Sequence, residues 1–451
     1  MGGHRQKPGE HYDPQAIFAP VVSIQAARLM LANAATHGHF IRHSDVQSAF
    51  VQAELEDVVY IRLPGSTRIY KLLKSLYGLK QGSRVWYNHL RGILVDMSFI
   101  VCPAEPCIFT KDIGTPESII LAVIVDDLAE TSPSEPALIR FETELQTKLT
   151  LSSVGNITQW NGCKVEYNQQ ERTISFNYSS HITALLKKTG MDKCIPVDTP
   201  AEPNSTLVPP TDMEILNTED KATYMSIVGA IMYLACQAYP EIQHAVNRCA
   251  SYMHTPGTQH MTAAKRILRY LAGTLRHAKP WMISYKPNQE NFSTNLITYS
   301  DASWGGDLHC ARAWTGVIVL YNGGPIAWQS KRQPTTALSS AEAEYMALTE
   351  ATKTLKYLKA IASFLRYMDA STIVPLEILT DSQSGMHIAM NPVSSQRSRH
   401  INVRHHYIRE NIVNSEISLR FVGSSEQIAD ILTKALPTPQ FRKLVQLIYV
   451  Q

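Results

Sequence analysis

The sequence predicts a protein of mixed α+β and α/β fold, with a helical region between two mixed regions. Two observations predict this class. Short apolar runs that end in acidic residues alternate with turn-rich segments, both up to residue 190 and after residue 291. Between these regions, a proline-rich break is followed by helical periodicity. The 451 residues are enough for about three domains of roughly 150 residues each.

The overall composition excludes several classes of protein. Apolar residues make up 44% and charged residues 18% of the chain, which is typical of a globular protein and not of a disordered, collagen-like or coiled-coil one. The longest apolar run, 119–125, is far shorter than the roughly 20 residues of a membrane helix. The net charge is only +3, so nucleic-acid binding would depend on local clusters of charge. Seven scattered cysteines without a CxxC pair indicate neither a disulfide framework nor a zinc knuckle.

The order of the segments sets the predicted boundaries. Residues 21–190 mix apolar runs and turns, and the prolines of 196–210 interrupt the chain because proline continues neither a helix nor a central strand. Residues 218–272 show helical periodicity, and Gly273 is placed as a C-terminal stop. A polar loop around 284–295 precedes a second βα region that continues to the end.

Two adjacent carboxylates follow the most apolar run of the chain. The β-branched run 119–125 predicts a buried strand, and Asp126 and Asp127 stand at its end. Burying two neighbouring carboxylates costs several kcal/mol unless something neutralises them, and a divalent metal ion can do so. A hairpin turn, in which Asp is common, is the alternative.

A second predicted strand also ends in an acid. In the segment 40–50, Asp45 stands at the end of a strand and before a turn. If the two strands lie side by side, Asp45, Asp126 and Asp127 form the kind of carboxylate cluster that holds two metal ions for phosphoryl transfer.

A basic stretch lies between these two strands. It has no acidic residue from 62 to 95, and aromatic residues alternate with its cations, a pattern that suits a nucleic-acid backbone and its bases. A solvated basic face is the alternative. The cations are Arg62, Arg68, Lys71, Lys74, Lys80, Arg84 and Arg91, and the aromatics are Tyr60, Tyr70, Tyr77, Trp86 and Tyr87.

The C-terminal region carries a second set of acids at the ends of predicted elements. Asp301 ends a predicted strand that begins at residue 295, and two further strands, 313–321 and 326–330, are joined by the hairpin signal Asn322–Gly324. Asp381 ends another strand, with a helix N-cap as the alternative. On a predicted C-terminal helix lies Asp430, for which a solvated helix position is the alternative.

A long helix is predicted from Ser339 to about Met368. Ser339 and Glu342 form a capping box, which explains Glu342 without chemistry. Glu344 instead lies on the same predicted helix face as the apolar residues Leu348, Ala351 and Leu355. Because a carboxylate on an apolar stripe is costly unless it is paired, Glu344 is the candidate metal ligand on this helix.

Six motifs stand in a fixed order along nearly the whole chain. They are Asp45–Phe50, Lys74–Gln81, Val125–Asp127, Ser226–Leu234, Lys265–Leu271 and Ser339–Tyr345. Each motif is weak alone, but their joint order and spacing resemble the reverse transcriptase of copia-type LTR retrotransposon polyproteins.

The resemblance implies roles for the matching residues of the first half. Asp45, Asp126 and Asp127 would form the polymerase triad, the first two bridging both Mg²⁺ ions. Phe50 would lie under the sugar of the incoming nucleotide and exclude a 2′-hydroxyl, with an ordinary core aromatic as the alternative. Gln81 would contact the incoming nucleotide or the template, with a polar turn residue as the alternative.

The resemblance also implies contacts with nucleic acid. Trp160–Gly162 is similar to the hairpin that grips the primer end, with a core tryptophan as the alternative. Helix 258–271 is amphipathic with a basic flank, which would suit a thumb helix lying on a duplex. The residues expected to bind nucleic acid are Lys80, Arg84, Lys265, Arg266, Arg269, Arg399 and Arg404.

In the second half, Asp301, Glu344, Asp381 and Asp430 resemble the four-carboxylate site of ribonuclease H. Such a site holds two Mg²⁺ ions that activate water against the RNA strand of an RNA–DNA hybrid. The basic segment 397–409 would hold the hybrid backbone or supply a proton-shuttling histidine. A zinc site at its histidines is a poor interpretation because no cysteine lies nearby.

The resemblance completes the predicted architecture. Residues 1–190 would form the reverse transcriptase fingers and a ferredoxin-like palm, residues 191–290 a mostly helical thumb and connection, and residues 291–451 a ribonuclease H-like mixed-sheet domain. The implied cofactor is Mg²⁺, two ions per active site, with Mn²⁺ as a substitute.

The implied partners are an RNA template, a DNA primer, an RNA–DNA hybrid and dNTPs, with an oligomeric partner or other polyprotein products in addition, and no membrane. The implied locations are a cytoplasmic virus-like particle and the nucleus.

Some positions depart from the family pattern. Ile124 stands where the family usually has Tyr, and Gly82-Ser83 replaces the usual Ala-Pro. The basic fingers segment that would hold the triphosphate is expected upstream of Gln6, so the fingers are predicted to be partial. A ribonuclease H-only protein or a non-catalytic nucleic-acid-binding remnant is therefore the alternative function.

Overall fold

A computed structural model describes residues 6–203, 205–276, 281–287, 296–305, 311–367, 375–390 and 402–449, excluding the side chains of 402–406. The chain divides into two compact units. The first comprises Met1–Arg172 with Ala360–Tyr367, and the second comprises Thr173–Lys359 with Met368–Gln451. The mixed α/β class predicted from the sequence is confirmed, whereas the three-domain division stays a prediction.

The first unit combines helices with short strands. Its helices are α1 (Ile24–Thr36), α2 (Gly82–Asp96) and α3 (Glu135–Gln146). Its strands are β1 (Phe40–Val46), β2 (Tyr60–Arg62), β3 (Ile69–Lys71), β4 (Ile100–Cys102), β5 (Glu105–Lys111), β6 (Ile119–Ile124), β7 (Asp127–Ser132), β8 (Leu151–Asn156), β9 (Gln159–Trp160) and β10 (Cys163–Asn168).

A six-stranded sheet with the order β4-β5-β6-β7-β1-β8 forms the core of this unit. The predicted buried strand is confirmed as β6, whose first five residues are buried. Helices α1 and α3 both pack against β1 and β7. Ser23 caps α1, an alanine-rich helix whose residues from Ala26 to Thr36 are all buried, so this helix fills the core beside the sheet.

The second unit contains the remaining elements. Its strands are β11 (Thr173–Asn177), β12 (Ile283–Tyr285), β13 (Ile297–Ser303), β14 (Trp314–Tyr321), β15 (Gly324–Arg332), β16 (Leu376–Thr380) and β17 (Ile417–Phe421). Its helices are α4 (Ser179–Lys188), α5 (Thr218–Gln237), α6 (Gln243–Ala250), α7 (Thr258–Thr274), α8 (Ser340–Phe364), α9 (Gln383–Met390), α10 (Asn402–Val413) and α11 (Thr438–Ile448). The last residues of α8 are grouped with the first unit.

The five-stranded sheet of the second unit has the order β15-β14-β13-β16-β17. β13 pairs antiparallel with β14 and parallel with β16, and β16 pairs parallel with β17. The predicted hairpin between β14 and β15 is confirmed, because Asn322 and Gly323 both have positive φ, as a type I′ turn requires. The parallel pairing of β13 with β16 extends to Tyr299 and Leu379, and Asp301 lies two residues further along β13.

The predicted helical region is also confirmed, as α5, α6 and α7, which pack against one another. They join the five-stranded sheet within the second unit: Trp328 of β15 donates a hydrogen bond to the carbonyl of Ala235 in α5, at 2.8 Å. Asn247 of α6 donates another to the carbonyl of Ser330, at 2.6 Å. Among the helices of the described residues, none is both long enough and apolar enough to cross a membrane.

Candidate active sites

In the first unit, strand pairing brings three predicted acids to one place. β1 lies antiparallel to β7, and their register sets Asp45 opposite Asp127. Asp126 belongs to the two-residue turn between β6 and β7, because Ile124 pairs with Asp127. The strands predicted to end in Asp are therefore neighbours in one sheet, as the carboxylate cluster requires.

The turn that carries Asp126 has an unusual backbone. Val125 has φ of 57°, a left-handed conformation that a β-branched residue adopts only when its surroundings impose it. Trp86 of α2 donates a hydrogen bond to the carbonyl of Val125, with 2.6 Å between Nε1 and O. The amide of Val46 donates to the carbonyl of Asp126 at 2.8 Å. Helix α2 and strand β1 thus hold the turn on both sides.

Asp127 is held by two partners. His43 Nε2 lies 2.5 Å from its Oδ1, and the amide of Asn161 donates to its Oδ2 at 2.9 Å. Asn161 and Gly162 both have positive φ and form the turn of the β9–β10 hairpin. The hairpin that resembles a primer grip therefore rests on a predicted catalytic acid, while the side chain of Trp160 is buried in the core.

The other two acids of this site are half-buried. Ser152 on β8 donates a hydrogen bond to Asp45 Oδ2. Burial, followed by the charges of Asp45 and Asp127, raises the pKa of Asp126. Burial and then the charges of Asp126 and Asp45 also raise the pKa of Tyr77, so this phenol lies within the field of the two carboxylates.

The side chain predicted to lie under the nucleotide sugar is next to that phenol. Phe50 is half-buried and packs edge-to-face on Tyr77, with 4.5 Å between the ring centroids. Its contact with Tyr77, which lies in the field of the carboxylates, is compatible with the predicted role, which stays a prediction.

The three residues at 80–84 that are predicted to contact nucleotide or nucleic acid differ in burial and in hydrogen-bond partners. Gln81 is only 3% exposed, and its amide donates to Asp57 at 3.0 Å and accepts from Gln6 at 3.0 Å. The side chain is thus committed to other residues of the unit, and its contact with a nucleotide stays a prediction. Lys80 is exposed, and Arg84 donates to the carbonyl of Phe18 at 3.1 Å.

In the second unit, three predicted acids converge more closely. One carboxylate oxygen from each of Asp301, Glu344 and Asp381 lies within 4.8 Å of the other two. Asp301 comes from β13, Glu344 from α8, and Asp381 from the residue that follows β16. Among the described residues, this group is where three or more metal-ligating side chains meet within that distance.

The fourth acid, Asp430, reaches this site from the predicted C-terminal helix, which is a short 3-10 helix, Ile428–Leu432. This helix approaches β14 at Gly316, the residue opposite Asp301, where an added Cβ would lie 2.7 Å from the carbonyl oxygen of Ala429. Gln427 fixes the helix by donating a hydrogen bond to the carbonyl of Ser300 at 3.0 Å.

The charges of this site are shielded from water. Asp301, Glu344 and Asp430 are 2%, 9% and 1% exposed. Burial, then the charges of Asp301 and Asp381, raises the pKa of Glu344 to about 9. Burial, then the charge of Asp301, raises the pKa of Asp430 to about 7, and burial raises that of Asp301.

The donor set fits a divalent cation. Glu344 Oε2 is buried without a hydrogen-bond partner, and hard divalent ions prefer carboxylate oxygens as ligands. A buried carboxylate oxygen without a partner is costly, and a bound cation would remove that cost.

Sequence reasoning missed several residues that hold these acids. Thr433 donates a hydrogen bond to Asp301 Oδ2, and Ser424 donates to Asp381 Oδ2 at 2.8 Å. Lys434 Nζ lies 2.9 Å from Asp430 Oδ1. The spacing of four residues between Asp430 and Lys434 was the available signal, since such pairs meet on one helical face.

Hydrogen bonds in the first turns of α8 and α9 identify the residues that cap these helices. The predicted capping box of α8 is confirmed in part: the amide of Glu342 donates to Ser339 Oγ at 3.2 Å, whereas the Glu342 carboxylate accepts at 2.7 Å from the amide of Leu338, the residue before the N-cap. For α9, the amide of Gly385 donates to Ser382 Oγ at 3.1 Å. Ser382 rather than Asp381 therefore caps α9, which leaves Asp381 available to the carboxylate group.

The basic flank of α7 is partly covered by the chain itself. Arg266 forms an ion pair with Glu202 at 2.8 Å, and Arg269 Nε donates to the carbonyl of Ile195 at 2.7 Å. Lys265 is exposed. The segment that contains Ile195 and Glu202 thus contacts Arg269 and Arg266, two of the three cations on α7 that were predicted to bind a duplex. Arg399 and the side chain of Arg404 lie outside the described residues.

Comparison with known proteins identifies relatives along the chain. Residues 1–203 match the family described as reverse transcriptase (RNA-dependent DNA polymerase). The chain is 31% identical over 456 aligned residues to the retrovirus-related Pol polyprotein from transposon TNT 1-94 of Nicotiana tabacum, covering 99% of this chain and 33% of that protein. It is 32% identical to the Pol polyprotein from transposon RE1 of Arabidopsis thaliana, covering 99% of this chain and 30% of that protein.

The chain therefore spans about a third of the length of these curated relatives. One solved structure, LC11-RNase H1 in complex with an RNA/DNA hybrid, is 17% identical to this chain, with a TM-score of 0.24. The match covers 31% of this chain and 94% of the LC11-RNase H1 chain.

Proposed function

This chain is a relative of copia-type retrotransposon Pol polyproteins along nearly its whole length, and on that premise we propose that it is an RNA-directed DNA polymerase with ribonuclease H activity. The observation that supports the proposal best is the convergence of both predicted acid sets. Asp45 is opposite Asp127 in the first unit, and Asp301 meets Glu344 and Asp381 in the second.

In the polymerase half, the chain's own residues position the reacting groups. Asp45 and Asp126 would hold the metal ions, while His43 and the Asn161 amide keep Asp127 against the hairpin. Phe50 would close the sugar side of the nucleotide site, and the exposed Lys80 would meet the phosphate backbone. Mg²⁺ bound there would supply activation of a 3′-hydroxyl and charge neutralisation on the leaving pyrophosphate.

In the nuclease half, the sheet order supports a ribonuclease H-like domain. Three antiparallel strands, β13–β15, are extended by the parallel strands β16 and β17, and the central strand β13 carries Asp301. Asp301, Glu344, Asp381 and Asp430 would hold divalent ions, which would supply an activated water for hydrolysis of RNA in a hybrid. Burial of Asp301, Glu344 and Asp430 excludes bulk water from them and strengthens their hold on a cation.

The proposed partners are an RNA template, a DNA primer, an RNA–DNA hybrid and dNTPs. We propose fingers and palm at 1–190, a thumb and connection at 191–290 and the nuclease domain at 291–451. The basic stretch 62–91 and Lys265 would contact the nucleic-acid backbone.

A reciprocal pair of variants tests the proposal. In the full chain with Mg²⁺, Asp126→Asn is expected to abolish primer extension on an RNA template and to leave cleavage of labelled RNA in a hybrid unchanged. Asp381→Asn is expected to do the reverse. Extension that survives Asp126→Asn, or cleavage that survives Asp381→Asn, would contradict the corresponding half of the proposal.

A second candidate function is hybrid cleavage alone, with a first unit that only binds nucleic acid. It is favoured by one observation: among the described residues, the close group of three metal-ligating side chains is in the second unit, and Asp45, Asp126 and Asp127 do not form such a group. Wild-type protein that cleaves hybrid but does not extend a primer, while still binding the primer–template, would favour this candidate.

A further inference from the structure

Lys434 lies among the acids of the nuclease site, although the reaction proposed above assigns it no role. Its Nζ is 2.9 Å from Asp430 Oδ1 and 3.9 Å from Asp301 Oδ2. Both carboxylates are almost completely buried. The ammonium therefore neutralises negative charge that water cannot reach.

The four acids divide into two groups that share Asp301. Asp301, Glu344 and Asp381 form the three-carboxylate group, whose oxygens approach within 4.8 Å. Asp301 and Asp430 form the other group with Lys434. Among the described residues, no other lysine or arginine forms an ion pair with any of the four acids, so Lys434 is the basic side chain that offsets their charge.

We infer that Lys434 is a resident cation of the nuclease site, which holds Asp301 and Asp430 together and restricts the site to one readily bound divalent ion in the absence of nucleic acid. The inference rests on the proposed function of this site. An ion can enter the three-carboxylate group without displacing the ammonium. Any further divalent ion that uses Asp430 must overcome the repulsion of a positive charge 2.9 Å from its ligand.

Lys434 combines a backbone that is held in place with a partly exposed side chain whose charge can move. Its side chain is 43% exposed and has a flexible four-carbon stem, so the ammonium can move into solvent when nucleic acid or a second ion arrives. Its backbone is held in place, because the Lys434 amide donates to the carbonyl of Asp430 at 3.1 Å and the neighbouring Thr433 hydroxyl donates to Asp301. Lys434 is thus a positioning residue that acts through Asp301 and Asp430.

Metal binding to the full chain tests this inference without any measurement of activity. Mn²⁺ alone is titrated calorimetrically into protein that carries Asp126→Asn, so that a polymerase-site ligand is absent from every sample. With Lys434 intact, one ion is expected to bind tightly at the nuclease site. Lys434→Met, which keeps the length and removes the charge, is expected to strengthen binding of a second ion by about tenfold or more.

Two further variants act as controls. Lys434→Arg keeps the charge and should reproduce the wild-type titration. Lys353→Met removes an exposed α8 lysine that pairs with Glu350 at 2.8 Å, and it should change neither the number of ions nor their affinity. Thermal unfolding in EDTA should show Lys434→Met less stable than Lys353→Met, with the difference removed by saturating Mn²⁺.

The outcomes separate this inference from the proposed function. If Lys434→Met leaves the number and affinity of bound ions unchanged, the resident-cation inference is wrong, even when stability falls. In the same Asp126→Asn background, Asp301→Asn should abolish Mn²⁺ binding at the nuclease site. Binding that survives Asp301→Asn would instead contradict the proposed metal site itself.

Discussion

The two carboxylate sites handle concentrated negative charge in different ways. In the first unit the acids are half-buried, and two of them have hydrogen-bond partners. Ser152 bonds to Asp45, and His43 and the Asn161 amide bond to Asp127. In the second unit the acids are nearly all buried, three of them approach closely, and one lysine balances them. Hydrogen bonds thus hold acids at both sites, but the nearly complete burial of the second site leaves charge that a cation must offset.

The largest expected effect is at Asp301, the acid that both groups of the second site share. Asp301→Asn should lower hybrid cleavage by about 100-fold or more, because it removes charge from a metal ligand and from the contact with Lys434. Primer extension should be unaffected. Asp45→Asn is the matched variant and should lower extension while cleavage is retained. A parallel loss of both activities in either variant would show that the sites are not independent.

The approach of Asp430 to the second site depends on close packing of its helix at Gly316. Gly316→Ala places a Cβ 2.7 Å from the carbonyl oxygen of Ala429 and 2.7 Å from Thr433 Cγ2, so the 3-10 helix must move. We expect a loss of about 1–3 kcal/mol in the free energy of unfolding and about tenfold slower hybrid cleavage.

Gly229→Ala is its control, because a Cβ there meets nothing within 4 Å and the residue lies inside helix α5. This control should gain about 0.5–1 kcal/mol. Thermal unfolding and hybrid cleavage measure both variants, and an unchanged Gly316→Ala protein would show that the 3-10 helix is not held by close packing.

The pH dependence of stability gives a third test. The pKa of Glu344 is raised from 4.5 to about 9 in the folded protein, so folding favours its protonated form. This contribution is complete below pH 4.5 and is lost as the pH rises through about 9. In EDTA, Glu344→Gln should therefore flatten the fall in stability and raise Tm at pH 8 by roughly 2–4 °C for each kcal/mol regained.

Glu342→Gln is the matched control for this measurement, because Glu342 lies two residues earlier on α8, is only half-buried and accepts a hydrogen bond at the start of the helix. It should leave the pH profile parallel to that of the wild type. Thermal unfolding in EDTA across a pH series measures both variants. Equal profiles for Glu344→Gln and wild type would mean that the Glu344 carboxylate is accommodated in its ionised form.

The smallest expected effect concerns the basic flank of α7. Arg269→Ala removes the hydrogen bond to the carbonyl of Ile195 and should cost about 1 kcal/mol of stability with little effect on duplex affinity. Lys265→Ala should do the opposite and weaken duplex binding severalfold at low salt. Thermal unfolding and binding at two salt concentrations distinguish these roles. Weaker binding by Arg269→Ala at unchanged stability would show that this flank is open to nucleic acid.

The sequence determined the local elements of both sites. The β-branched run of β6, the turn signal between β14 and β15 and the Ser339 cap of α8 each depend on neighbouring residues, and the structure confirms all three. Local patterns fix these elements because hydrogen bonds and side-chain periodicity act over a few residues. Asp45, Asp126, Asp301 and Asp381 could likewise be proposed from their positions at strand ends, and Glu344 from its place on an apolar helix stripe.

Only the tertiary structure decided how those acids are neutralised and how closely they meet. Val125 adopts a left-handed conformation because α2 and β1 hold its turn, and nothing in the local sequence requires it. Asp430 reaches Asp301 through a 3-10 helix that fits only over Gly316. Partners far apart in sequence, such as His43 with Asp127 and Lys434 with Asp301, are set by the packing of whole elements, since Coulomb energy depends on distance and burial in the folded chain.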